Sequence, residues 1–459
     1  MKQATGLRAR ERVVVHVDST AARWISALAV LSLSWWVLLL HKDLAWSLTV
    51  LGAVVLIARG IFLGRPVTAG HATAAMVVCI LGIAAVFLAF DLLGNLLLVT
   101  SAVLLMWPTS ARPNPADLPR ILGLVNATSG DPLAPFAMQS SKCYHFSADG
   151  TAAIAYRTRL GFAVVSGDPI GDDAGYTALV ADFATMCHTR GWRIAVLGCS
   201  ERRLNLWSNT AVLGRKLSAV PIGRDVIIDV AAFDMVGRQY RNLRQAVQRT
   251  RNFGITTEVV DEQGLEAELL AELTEVILAS PSGARTERGF SMSLDGTLEG
   301  RYPGVALIIA RDKAGRVQGF HRYATAGNGT EVTLDVPWRR RGAPNGIDER
   351  LSVDMIGKAR QQGAQRLSLA FAAFPEIFTD KQRNLPRSLV FTMVHLGDPL
   401  IALESLYRYL RKFHALGDQR YAMVTLTQVV PLLVVLLSLE FVPRRRRLTS
   451  GSVVRASLS

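Results

Sequence analysis

A bundle of membrane-spanning helices joined to a water-soluble α/β (α+β) region is the fold class this sequence predicts. Three observations predict it. Four apolar runs fill the first quarter of the 459 residues, a proline-rich break follows, and beyond it strand-like and helix-like segments alternate. Half of the chain is hydrophobic and 19% is charged, a balance that strains a purely soluble reading. The length exceeds what one ordinary domain holds.

The apolar runs cover residues 24–40, 44–57, 73–90 and 92–107. A bilayer core takes about 20 apolar residues of helix. The first and third runs suffice alone, the second once it continues past Arg59 to Leu63, and the fourth is short and carries Asn95. Further spans follow at once, so the first run reads as a retained helix and not as a cleaved signal. Arg8, Arg10, Arg12 and Arg23 precede the first run, Arg59 and Arg65 follow the second, and Arg112 and Arg120 follow the fourth. Of basic residues, only His41 and Lys42 stand between the first two. Four spans place every arginine-rich end on the cytoplasmic side, with all that lies beyond Pro108. The expectation is a multi-pass protein of the cell (plasma) membrane with a cytoplasmic soluble region. A fifth apolar run, 423–442, is interrupted by Pro431 and ends in four arginines, 444–447. A single crossing would place those arginines outside. The run therefore reads as a helix lying in the interface or packed on the catalytic region, its arginines against anionic headgroups.

A net charge of +14 points to anionic partners, nucleic acid or the negative cytoplasmic leaflet. Cys79, Cys143, Cys187 and Cys199 form no CxxC pair and have no histidine at metal-ligand spacing, which supports neither a zinc site nor a disulfide framework.

Prolines at 108, 113, 115 and 119 mark a linker. Beyond it, 161–165 reads as a strand, Ser166-Gly167-Asp168-Pro169 as a turn, 176–190 as a helix and 194–197 as a buried strand. A strand at 226–230 leads into the basic segment 238–251. The order then returns: a hairpin of 305–310 and 317–324, a strand at 331–336, a helix at 347–362 and a strand at 366–371. The division is 1–107 membrane, 108–119 linker, 120–280 and 281–421 two successive α/β halves, and 422–459 apolar helix and basic tail.

Strand, basic glycine-containing loop, helix and strand over 331–371 is the order by which GNAT acyltransferases hold a pyrophosphate, their loop reading Arg/Gln-x-x-Gly-x-Gly/Ala. Arg339-Arg340-Arg341-Gly342-Ala343-Pro344 matches two of its anchors, but Pro344 has no N–H to offer a phosphate. A wider resemblance rests on Ser166-Gly167-Asp168-Pro169, the run FDMVGRQYRNLRQAVQRTR from Phe233 to Arg251, and Glu287-Arg288-Gly289-Phe290-Ser291-Met292. It continues in Leu334-Asp335, Ala343-Pro344-Asn345-Gly346-x-x-Glu349, Leu367-Ser368-Leu369-x-Phe371-Ala372, Leu406-Tyr407, Lys412-Phe413 and Arg420-Tyr421. In this order, residues from about 120 to 421 resemble the synthase region of bacterial phosphatidylglycerol lysyltransferases, the multiple peptide resistance factors, in their actinobacterial form.

The resemblance implies two tandem GNAT-like folds that move an aminoacyl group from aminoacyl-tRNA to a phosphatidylglycerol hydroxyl without metal or redox cofactor. Implied partners are aminoacyl-tRNA, anionic phospholipid and the membrane, and a homo-oligomer is compatible with them. The implied catalytic residues are Asp335, Arg339, Glu349 and Lys412; Arg238, Arg241, Arg244, Asn345, Arg420 and Tyr421 would bind substrate. Each has a plainer reading. Asp335 suits a cap or salt bridge, Glu349 the helix dipole, and Lys412 and Arg420 a solvated basic face. Five arginines in fourteen residues, Arg238, Arg241, Arg244, Arg249 and Arg251, favour a phosphate-contacting face over ordinary surface charge. Asp168 suits its turn. His145, His188, His321 and His395 show no partner in the sequence and receive no role. The family pattern has arginine where this chain has Trp338, and asparagine where it has Ala370; the family's proline and tryptophan are replaced within 414–419. Two other functions compete: a coenzyme A-dependent N-acyltransferase, which Pro344 disfavours, and a degenerate tRNA- or lipid-binding member, which Trp338 and Ala370 favour.

Overall fold

Unbroken apolar sequence makes the N-terminal quarter helical. In the computed structural model, which describes residues 13–15, 20–40, 44–280, 286–287, 290, 292–373, 408–440 and 444–445, β1 (Val13–Val15) precedes α1 (Thr20–Leu40) and α2 (Leu44–Phe62). Then come β2 (Val67–Thr68), antiparallel to β1, α3 (Ala69–Phe87) and α4 (Asp91–Leu105). Thr68 caps α3 by accepting the His71 N–H, which satisfies one of the free donors of the first turn. Small residues let α3 and α4 approach: a Cβ on Gly94 would lie 2.9 Å from the Gly82 carbonyl oxygen. The outward faces are apolar, with Leu48, Val77, Ile80, Leu81 and Leu96 all exposed. Among the described residues, α2 and α3 are long and apolar enough to cross a bilayer.

The chain resolves into two compact units, residues 1–111 with 158–163 and 181–194, and residues 112–157 with 164–180 and 195–459. The second is built on a twelve-stranded mixed sheet. After α5 (Leu118–Ala127) come β3 (Cys143–Phe146), β4 (Ala152–Arg159), β5 (Phe162–Ser166), β6 (Ile170–Gly171), α6 (Tyr176–Thr189) and β7 (Arg193–Ser200). There follow α7 (Thr210–Leu213), β8 (Ser218–Asp229), α8 (Arg241–Asn252), β9 (Thr256–Asp261) and α9 (Ala267–Leu278). β10 (Thr286–Glu287) stands outside this sheet and pairs with β16 (Arg444–Arg445). Then β11 (Val305–Arg311), β12 (Val317–Ala326), β13 (Glu331–Arg339), α10 (Ile347–Gln361), β14 (Arg366–Ala373), β15 (Leu416–Val424) and α11 (Val429–Glu440) complete the order.

Strands lie in the order β3-β4-β5-β7-β15-β8-β14-β13-β12-β11-β9, with β6 beside β4. β13 and β14 are parallel, joined by α10 as parallel strands require. The sheet runs through the expected boundary at 280. β8 pairs with β14, whereas β15, from the C-terminal half, pairs with β7 as well as β8.

Alternation along the strands sorts two cores. Ile308, Ala310, Tyr323 and Leu334 pack with Leu243 of α8 and Leu351 and Met355 of α10. Leu307, Ile309 and Phe320 pack on the opposite face with Leu273, Val276 and Ile277 of α9. Trp338, opposite Phe320 in register, joins the α9 core. In α11, Leu432, Val435 and Leu439 are buried, while Val430 is 78% exposed. The expected strands and helices beyond Pro108 are present with ends shifted by a few residues, except that 218–225 extend β8 far before residue 226.

Candidate active site at the N-terminus of α10

The loop from Arg340 to Gly346 turns the chain from β13 into α10. Gly346 takes φ +98°, and a Cβ there would stand 2.7 Å from the Ala246 carbonyl oxygen of α8. Only glycine combines that backbone with that approach, and so the N-terminus of α10 is seated against α8. Asp348 and Glu349 occupy the first helical turn, where the dipole favours carboxylates.

Both carboxylates meet cations from other elements. Asp348 is ion-paired with Arg339 of β13, Nη1 to Oδ2 3.0 Å, and lies 3.2 Å from His321 Nε2 of β12. Burial alone would raise its pKa. The hydrogen bond and charge of His321, then the charges of Arg339 and Lys412, hold it below the ordinary value. Glu349 is buried and pairs with Lys412 Nζ. The side chains of Arg339 and Lys412 remain 44% and 36% exposed. Each can therefore exchange part of its contact with a carboxylate for an incoming anion. Beneath them, Tyr323, Ser352 and Tyr409 continue a polar row: Tyr323 Oη lies 3.5 Å from His321 Nδ1 and 3.4 Å from Ser352 Oγ, which contacts Tyr409 Oη.

Aromatic packing ties the Lys412 segment to the basic segment before α8. Phe233 lies 6.5 Å from Phe413 and 6.0 Å from Tyr240, between ring centroids, and Tyr240 meets His414 edge-on at 5.5 Å. His414 Nε2 stands 3.1 Å from the Gln239 carbonyl oxygen. Arg238 and Arg241 are exposed, and among the described residues their guanidinium groups meet no protein partner. Arg244 differs. Its Nη1 donates to the carbonyls of Met235 and Gly237, so it fastens the loop, a correction to its reading as a phosphate ligand. Asn345 is exposed beside the cluster, and the Tyr421 hydroxyl donates to Gln419 on β15.

Two other expected site residues serve the fold. Asp335 is an extra residue in β13, at a bulge where Arg322 faces Val336 and Tyr323 faces Leu334. Alternation puts Arg322 on the α9 face with Phe320, and His321 on the α10 face with Tyr323. Asp335 joins Arg322 at 2.9 Å and accepts the Leu294 N–H at 2.8 Å; Arg322, 0% exposed, also binds Glu262 at 2.7 Å. Asp335 is thus walled off across the sheet from Glu349 and Lys412. Burial pushes its carboxyl up to about 6, against the pull of Arg322. Arg420 is likewise no phosphate ligand. Only 1% of its side chain is exposed, and it is shared by Asp131 at 2.7 Å, Asp225 at 2.7 Å and Asp168 at 3.6 Å. Asp168, expected to be structural, belongs to this knot.

Sequence reasoning passed over His321, Tyr323, Asp348, Ser352 and Tyr409. A signal existed for most of them. His321 and Tyr323 are two apart on a strand, and Asp348 and Ser352 four apart on a helix, so each pair shares a face. Among the described residues no group of three or more His, Cys, Asp or Glu side chains is placed to hold a metal ion. Arg8, Arg10, Arg12, Arg288, Gly289, Ser291, His395, Leu406, Tyr407, Arg446 and Arg447 lie outside the described residues, as does the side chain of Ala370.

A family profile described as phosphatidylglycerol lysyltransferase, C-terminal, matches residues 123–424. An MprF-like domain protein of Mycobacterium tuberculosis is 64% identical over 454 residues, covering 96% of this chain and 94% of its own. The lysylphosphatidylglycerol biosynthesis bifunctional protein LysX of Rhodococcus jostii is 32% identical over 261 residues, 57% of this chain and 23% of LysX; the chain thus matches about a quarter of that relative. Among solved structures, an Agrobacterium fabrum domain described as the C-terminal part of a lysylphosphatidylglycerol synthetase aligns with TM-score 0.60 at 22% identity, over 72% of this chain and 98% of that one. L-PGS from Bacillus licheniformis aligns with TM-score 0.57 at 18% identity, over 71% and 96%. At these identities the two structures show a shared fold.

Proposed function

We propose, from the premise that this chain belongs to the phosphatidylglycerol lysyltransferase C-terminal family, that it transfers an aminoacyl group from aminoacyl-tRNA to the headgroup hydroxyl of phosphatidylglycerol or a related anionic lipid. One observation carries the reading: two half-exposed cations, Arg339 and Lys412, flank the α10 N-terminus, and the segment leading into the neighbouring α8 carries Arg238 and Arg241, exposed and without a guanidinium partner among the described residues. The reaction is an ester exchange. The lipid hydroxyl attacks the aminoacyl carbonyl, a tetrahedral oxyanion forms, the bond to the ribose oxygen breaks, and the proton of the attacking hydroxyl ends on that ribose oxygen. Lys412 and Arg339 face the oxyanion or a lipid phosphate. Arg238 and Arg241 hold the tRNA backbone, with Asn345 beside the acceptor end. Glu349 keeps Lys412 in place.

The architecture suits this division of labour. The α6-bearing and α10-bearing parts of the sheet are read as two GNAT-like halves. The helices α1–α4 are read as four spans that keep the soluble region on the cytoplasmic face. α11 is read as a helix lying in the interface or packed on the soluble region. A second reading, a family member that binds tRNA or lipid without activity, is favoured by Trp338 in the α9 core and by Asp335 consumed in an ion pair. The test is full-length protein in phosphatidylglycerol vesicles supplied with lysyl-tRNA, and in parallel with alanyl-tRNA. A ninhydrin-positive phospholipid that depends on both protein and charged tRNA is expected. Its absence with every charged tRNA would establish the binding reading.

A further inference from the structure

We propose that Tyr409, Ser352, Tyr323, His321 and Asp348 form a proton relay that draws the proton from the attacking hydroxyl and returns it to the leaving ribose oxygen; this rests on the aminoacyl-transfer reading above. The row crosses three elements, with His321 and Tyr323 on β12, Asp348 and Ser352 on α10, and Tyr409 in the helical segment that also carries Lys412. Its centre is dry. His321, Tyr323 and Ser352 are fully buried, while Tyr409 and Asp348 at the ends are half-buried. A proton inside the row therefore has no water to escape to.

The partners fix the direction. Asp348 is taken as the carboxylate, with the Arg339 guanidinium 3.0 Å from its Oδ2, and accepts only. His321 must then donate from Nε2, 3.2 Å from Asp348 Oδ1, which leaves Nδ1 as an acceptor. The group at Nδ1 is the Tyr323 hydroxyl, at 3.5 Å, and it donates there. Its oxygen is left to accept from Ser352 at 3.4 Å, and the Ser352 oxygen to accept from Tyr409. Every hydroxyl points toward His321, and the Tyr409 oxygen keeps free lone pairs at the open end. Lys412, three residues further along the chain, pairs with Glu349 of α10.

The step balances. As the hydroxyl oxygen bonds to the aminoacyl carbon, its proton passes to Tyr409 Oη. The Tyr409 proton moves to Ser352, the Ser352 proton to Tyr323, and the Tyr323 proton to His321 Nδ1. The resulting imidazolium is held by the Asp348 carboxylate. When the carbon–oxygen bond to the ribose breaks, the same shifts in reverse deliver one proton to the ribose oxygen, and the row is restored. His321 and Asp348 touch no substrate in this scheme; they position and store the charge.

Tyr323→Phe keeps the ring in the core and removes one hydroxyl from the middle of the row. With lysyl-tRNA and phosphatidylglycerol vesicles, kcat of the full-length protein is expected to fall by about 10²-fold, within the range of acid–base catalysis. KM for both substrates and the melting temperature should stay near the wild-type values. Ser352→Ala, a second interruption of smaller volume, should give the same split. Independently, 15N spectra of the histidine-labelled protein, with His321 assigned from His321→Gln, should show Nε2–H in the wild type. An Nδ1–H tautomer would overturn the relay. So would unchanged kcat in both folded variants, a result that leaves the transfer reading standing. A wild type that makes no aminoacylated lipid would instead sink the transfer reading, and the relay's use with it.

Discussion

Two buried arginines and two half-exposed cations divide this molecule into scaffold and site. Arg420 is enclosed by Asp131, Asp168 and Asp225 where β15 and β8 lie side by side, and Arg322 is enclosed by Glu262 and Asp335. The carboxylates around Arg420 come from distant parts of the chain, and those around Arg322 leave its Nε buried without a hydrogen-bond partner. Arg339 and Lys412 face one carboxylate each and keep an open side. A cation that is fully enclosed holds strands together; one that is half enclosed has capacity left for a substrate. Net charge alone could not make the distinction.

The sharpest break in this comparison is Arg420→Met. Three buried carboxylates would lose their shared cation, and removing one partner of a buried ionic group costs about 3–5 kcal/mol. We expect a thermal melt far below wild type, or no soluble protein. A melt within a few degrees of wild type would mean that the knot does not hold the strands together.

Next in size is Gly346→Ala. The substitution sets a Cβ against the Ala246 carbonyl in a left-handed backbone, at a cost of about 1–3 kcal/mol. It should displace the start of α10 from α8 and lower activity more than stability, measured as kcat against the melting temperature. Equal losses of both would make the α8 contact merely structural.

Much of the fold was legible in sequence because β11, β12, β13 and α10 keep clean periods of two and 3.6 in their apolar residues. β15 was not. Its Gly417-Asp418-Gln419-Arg420 stretch looks like a surface loop, and only pairing with β7 and β8 on its two sides makes it a strand. For the same reason Arg420 passed for an exposed cation: its partners Asp225 and Asp131 stand 195 and 289 residues away. Of the site, Glu349 and Lys412 were named from the sequence and do meet. Asp335 was grouped with them by the family resemblance, but the face on which a bulged residue points cannot be counted from the period.

A smaller effect separates Asp335 from the site by pH. Its folded carboxyl titrates at about 6, raised from 3.8 by burial. The folded state thus takes up this proton more readily than the unfolded one. Its contribution to stability is full below about pH 4 and is lost as pH rises through about 6. Melting temperatures of wild type and Asp335→Asn should therefore differ most in favour of wild type at pH 4, with that advantage shrinking toward pH 7. A constant difference across the window would show that Asp335 does not titrate there.

Smaller still is the expected change at the basic face. Arg238→Glu with Arg241→Glu should weaken tRNA binding and reduce the salt slope by roughly 0.7–0.9 for each lost phosphate contact. Arg244→Ala should leave that slope unchanged and loosen the loop it fastens. Equal slopes for all three proteins would return the segment to ordinary surface charge.

The most direct test of the division into scaffold and site is Lys412→Ala, assayed as aminoacyl transfer from lysyl-tRNA to phosphatidylglycerol with the melting curve measured on the same preparation. Lys412 is half exposed and pairs with one carboxylate, so the fold should survive its loss with little change in melting temperature. The rate should fall by at least about tenfold, equivalent to about 1.4 kcal/mol of transition-state stabilisation. A folded Lys412→Ala protein that transfers the aminoacyl group as fast as wild type would contradict the placement of the site at the N-terminus of α10.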